Sequence, residues 1–161
     1  MVPVKKLILS SVILFTSVHH CYAADLPVCS NRVINEVMKR SGCTVGDSKC
    51  WLTKGGFCMD YVEKRAKAIK GPKPVNLQPV DTGGVKKGDV AQFFTPRPHL
   101  AYVERVVKDK QGRPLAIDVS EYNFGSCWVD QGTQVTDTYK KMTKRSGIPA
   151  NSVDGGFLRS Q

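Results

Sequence analysis

The chain has 161 residues, with 24 Lys and Arg against 14 Asp and Glu, a formal net charge of +10. That length suits one domain of ordinary size with a single core. The basic residues are scattered and no aromatic–basic recognition motif accompanies them, so nucleic-acid binding is disfavoured, while a surface of this sign suits an anionic polymer.

Residues 1–23 read as a secretory leader. Lys5 and Lys6 form a basic start, LILSSVILF is an apolar run, and Cys21-Tyr22-Ala23 places small residues at the cleavage positions. The apolar run is shorter than the roughly 20 residues of a spanning helix. Val18-His19-His20 before Cys21 does not read as a lipoprotein signal. The expected product is a soluble exported protein of 138 residues, Ala24 to Gln161, carrying 22 basic and 14 acidic residues and a net charge of +8.

Ala24 to Val28 reads as an extended lead-in. Ser30 to Arg40 reads as a helix, with Ser30 or Asn31 as N-cap and Val33, Ile34, Val37 and Met38 on one stripe. Thr44 to Gly56 reads as a loop anchored by Trp51 and Leu52. A second helix is predicted over Phe57 to Lys70, where Cys58, Tyr61, Val62, Ala66 and Ile69 recur at helical spacing. Asp60 and Glu63 sit in its early turns and Lys64, Arg65, Lys67 and Lys70 in its later ones, which matches the helix dipole. Gly71-Pro72 ends it.

Lys73 to Lys87 reads as a connection. Gly88-Asp89 introduces the short strand VAQFF, and Thr95 to Pro98 breaks it. His99 to Val107 and Leu115 to Phe124 read as paired strands around the hairpin loop KDKQGRP. Within Gly125 to Asn151 a short helix is expected over Asp137 to Arg145. Gly156 to Arg159 is expected as a closing edge strand. Helices followed by antiparallel strands give an α+β fold with the helices packed on the sheet.

Five cysteines survive leader removal: Cys29, Cys43, Cys50, Cys58 and Cys127. In an oxidising compartment four pair and one stays free. Cys29 and Cys43 flank the first helix, whose ends lie roughly 20 Å apart. A disulfide needs Cα atoms closer than about 7 Å, so that pairing is disfavoured. The preferred set is 43–50 with 29–127, and 29–50 with 43–127 remains the alternative. The spacings are not those of a zinc site, and no metal or cofactor is expected.

The free cysteine is expected to be Cys58. It stands at a helix start after Gly55-Gly56, where partial positive charge and free N–H groups favour a thiolate. A buried cysteine on an apolar stripe would leave the same local pattern. Without the leader, His99 is the one histidine. If the hairpin centres near Gln111, His99 faces Asn123 and Ala101 faces Glu121, and all four share one face. Small Ala101 then leaves room for a diagonal contact from His99 to Glu121. A carboxylate there would set the imidazole tautomer, whereas a one-residue slip would remove it to the other face.

FCMDYVEKRA, GDVAQFF, HLAYVERV and DVSEYNF, in that order, resemble the CHAP family of cysteine- and histidine-dependent amidohydrolases/peptidases. The resemblance rests on Cys58 followed by Tyr61 and Val62, on Gly88-Asp89 opening a strand, on His99 to Val103, and on Ser120 to Asn123. It covers roughly Trp51 to Phe124. It implies a papain-like fold, with Cys58 as nucleophile, His99 as base, Glu121 as third member and Asn123 in support. Phe57 and Asp60 depart from the family pattern beside the nucleophile and put substrate preference in question. The expected substrate is peptidoglycan, cut at an amide of the stem peptide or cross-bridge by a periplasmic or secreted enzyme, with a protein inhibitor as a further partner. The alternatives are an inactive disulfide-stapled binding or inhibitory module, and a secreted toxin acting on a rival cell's wall or proteins.

Overall fold

A computed structural model describes residues 26–70 and 76–161. The leader lies outside the described residues, as does the Gly71-Pro72 helix stop. Three helices, α1 (Asn31–Ser41), α2 (Ser48–Thr53) and α3 (Cys58–Lys70), precede eight strands: β1 (Leu77–Val80), β2 (Val90–Phe93), β3 (His99–Lys108), β4 (Pro114–Glu121), β5 (Trp128–Asp130), β6 (Val135–Thr136), β7 (Thr143–Pro149) and β8 (Phe157–Ser160). Six strands form one antiparallel sheet in the order β1-β8-β2-β3-β4-β7, and β5 and β6 pair separately. The fold is α+β, as the element order requires. Among the described residues no helix is long and apolar enough to cross a membrane.

Period-2 alternation gives the central strands two faces. Ala91, Phe93, Ala101, Val103, Ile117, Val119 and Phe157 pack with Val85, Ala150 and Val153 into one core. The other face meets α3: the Tyr61 hydroxyl donates to Ser120 Oγ at 2.9 Å, and Arg65 reaches Glu104 at 2.8 Å. Gly88-Asp89 shapes the entry to β2. Gly88 has φ +95°, and the buried Asp89 carboxylate accepts from Lys86 N–H and holds the Arg159 guanidinium of β8.

A second cluster joins α1 and α2 to β5 and β6, with Val37, Trp51, Val129, Val135 and Tyr139 buried around the disulfides. These are Cys29–Cys127 and Cys43–Cys50, the preferred pairing, and Cys58 is free. Two disulfides fit an oxidising, exported environment.

Four local expectations change. The Thr44 to Gly56 loop contains α2, nucleated by Asp47, whose carboxylate accepts from Cys50 N–H at 2.9 Å. The 73–87 connection contains β1 and a 3-10 turn at Thr82–Gly84. The closing strand β8 lies between β1 and β2 and is not an edge. Asp137 to Arg145 is not helical: Lys140 has φ +55°, Tyr139 is fully buried, and β7 starts at Thr143 along β4. Strand pairing and the Tyr139 anchor outweigh a weak local helical preference.

Loop-closure entropy ranks the two cross-links, since they span 98 and 7 residues. Urea unfolding of C29S/C127S is expected to show a loss of about 4–5 kcal/mol, against about 2 kcal/mol for C43S/C50S. Equal losses would contradict that ranking.

Candidate active site

The N-terminal end of α3 carries Cys58 to the head of β3. The turn before it is set by glycine: a Cβ on Gly56 would run into the Tyr139 ring. Lys140 N–H donates to Gly56 O, and the Tyr139 hydroxyl donates to Trp51 O. Phe57 packs edge-on against Tyr139 at 5.2 Å. Asp60 reaches back to accept from Phe57 N–H at 2.9 Å, half of a capping box. Phe57 and Asp60 therefore anchor and cap the helix that bears the thiol.

His99 heads β3 opposite Phe93 of β2. Its ring is 4% exposed, and its Nε2 lies 3.0 Å from Glu121 Oε2. Cys58 lines the same cavity as His99, close enough that each shifts the titration of the other. The register at this end is the one counted from Gln111, since Tyr102 pairs with Ser120 and Val103 with Val119. Two bulges along the hairpin, one between Val103 and Arg105 and one between Val107 and Lys108, shift the ladder by one residue each and cancel.

Glu121 has no exposed surface. Arg145 of β7 clamps it from the far side, with Nε to Oε1 at 2.7 Å and Nη2 to Oε2 at 2.9 Å. The Arg145 guanidinium also lies 3.9 Å from the Phe124 ring centroid, and Phe124 stands 4.7 Å from His99.

Asn123 lines the small cavity of about 130 Å³ shared by Cys58, His99 and Arg97. It does not sit opposite His99. Strand β4 ends at Glu121, and Asn123 follows in a left-handed conformation with φ +58°. Its amide donates to Gln134 O and accepts from Thr136 N–H and Thr136 Oγ1. Among the described residues its hydrogen bonds brace the cavity wall and not the imidazole.

The electrostatics favour a thiolate–imidazolium pair. Burial pushes the Cys58 thiol up, but the His99 hydrogen bond and charge and the N–H groups of Leu100 and Met59 outweigh it and hold the thiol below its ordinary range. Burial pushes His99 down, and its hydrogen bonds to Cys58 and Glu121 more than reverse this, so the imidazole is raised. Burial pushes the Glu121 carboxyl up, and bonds to His99 and Arg145 bring it below its usual range. The Cys58 N–H, in the first turn of α3, has no intrahelical acceptor and is free to stabilise an oxyanion.

Compared with family models, with curated proteins and with solved structures, the chain matches none. The structure brings Cys58, His99 and Glu121 together as the sequence predicts, and it adds two residues that sequence reasoning missed. Arg145 lay in a segment read as helix, and only its place on β7 puts it beside Glu121. Arg97 stands two residues before the single histidine of the described chain, and that nearness was the one available signal.

Alkylation of Cys58 by iodoacetamide is expected to follow a midpoint below the about 8.5 of an ordinary thiol. In H99A the lowering partner is gone and burial remains, so the midpoint moves above that of the wild type. Peptide mapping across a pH series reads both. Arg145→Gln leaves Glu121 buried with half its partners, and is expected to cost about 3 kcal/mol in urea unfolding and to slow alkylation at neutral pH.

Proposed function

We propose that the protein is a cysteine-dependent amidohydrolase of CHAP type, with a papain-like arrangement of helix-borne thiol and strand-borne imidazole. It acts on peptidoglycan in the periplasm or outside the cell. The observation that carries this reading is the free Cys58 sharing a cavity with His99, whose Nε2 meets the buried Glu121.

Cys58 Sγ attacks the amide carbonyl carbon, and the new oxyanion meets the Cys58 N–H. The His99 imidazolium gives its proton to the leaving nitrogen as the C–N bond breaks, which leaves a thioester. Neutral His99 then draws a proton from water, whose oxygen attacks the thioester carbon. A carboxylic acid leaves and the thiolate–imidazolium pair returns. Glu121 stays ionised throughout, holding the ring and its charge, and no step needs a metal. The choice of peptidoglycan rests on the family resemblance, on the leader and disulfides that point to export, and on the net positive charge facing an anionic wall. A free, activated thiol also favours catalysis over a stapled binding module.

The test is digestion of purified cell wall by the mature protein, with released fragments read by mass spectrometry. New amine and carboxyl ends are expected with the wild type and none with C58A, whose far-UV spectrum stays that of the wild type. Release that survives C58A would overturn the reading.

A further inference from the structure

Resting on that reading of Cys58 as the nucleophile, we propose that Arg97 is the substrate-recognition residue of the site, binding a free carboxylate next to the scissile amide. Three observations lead there. Arg97 is only 9% exposed, and it lines the same cavity as Cys58, His99 and Asn123. Its guanidinium lies 5.0 Å from the Phe124 ring centroid and 5.2 Å from that of Trp128, so two aromatic surfaces flank it. Among the described residues its one hydrogen bond is a long one, from Nη2 to Gly125 O at 3.4 Å.

Three anions, Cys58, Glu121 and Asp137, stand near three cations, His99, Arg145 and Arg97, and among the described residues Arg97 is the cation with no anion in direct contact. Cys58 pairs with His99, and Glu121 with Arg145. Asp137, the other carboxylate whose field reaches Arg97, accepts from Ser126 and Cys127 N–H. Among the described residues no carboxylate lies within ion-pair distance of Arg97. A desolvated cation costs free energy unless an anion neutralises it. A planar guanidinium whose N–H groups meet no carboxylate matches one in two parallel hydrogen bonds. The cavity, about 130 Å³, has room for such a group beside the sulfur. The substrate class is therefore a peptide amide that bears a carboxylate on the residue flanking the bond cut.

Two alkylating reagents of nearly equal size read this directly, since iodoacetate carries a carboxylate and iodoacetamide does not. The ratio of their rates at Cys58, taken within each protein, cancels any change in thiolate population. That ratio is expected to fall about tenfold in Arg97→Gln and to be largely kept in Arg97→Lys, which retains a point charge. In the wild type, acetate at constant ionic strength is expected to slow iodoacetamide saturably, and chloride is not. A wild-type ratio in R97Q, or no saturable effect of acetate, overturns the proposal. Failure of the enzyme reading looks different, because Cys58 then alkylates only at the pH of an ordinary thiol.

Discussion

Glu121 holds a negative charge with none of its surface in water. Such a group persists only if cations and hydrogen-bond donors surround it, and here His99 supplies one side and Arg145 the other. That requirement fixes three strands relative to one another, since β3 brings the imidazole, β4 the carboxylate and β7 the guanidinium. It also sets the state of the site. A carboxylate on Nε2 favours the charged ring, and a charged ring favours a thiolate beside it.

The nucleophile depends on a different part of the molecule. The turn before α3 is pressed against Tyr139, and Tyr139 is locked to Trp51 in the cluster around the two disulfides. The cross-link from Cys29 to Cys127 ties the chain before α1 to the strand pair β5–β6, so the segment after the hairpin becomes the wall behind the thiol. The sheet thus positions the base and its partners, while the stapled cluster positions the sulfur. Both are built from residues distant in sequence, and neither half is complete alone.

Much of this was readable because its physics is local. Gly55-Gly56 ahead of an amphipathic run marks a helix start wherever it sits, and alternation in HLAYV and DVSEY marks strands. The hairpin count placed Glu121 two residues from the level of His99, and the pair of compensating bulges left that count intact at the site end. The same count misplaced Asn123, because it assumed that β4 runs on. The strand stops at Glu121, and the left-handed turn at Asn123 sends the chain toward β5.

The amino-acid sequence by itself determined the α+β element order, which cysteine lacked a partner, and the pairing of one thiol with one imidazole, since composition, spacing and short-range register suffice for these. Only the tertiary structure decided that Arg145 clamps Glu121 and that Arg97 stands over the cavity. Residues 125–151 carry no strong local preference, and their conformation follows from pairing with the free edge of β4 and from burial of Tyr139. Those are long-range contacts, whose energy appears only once the rest of the chain has assembled.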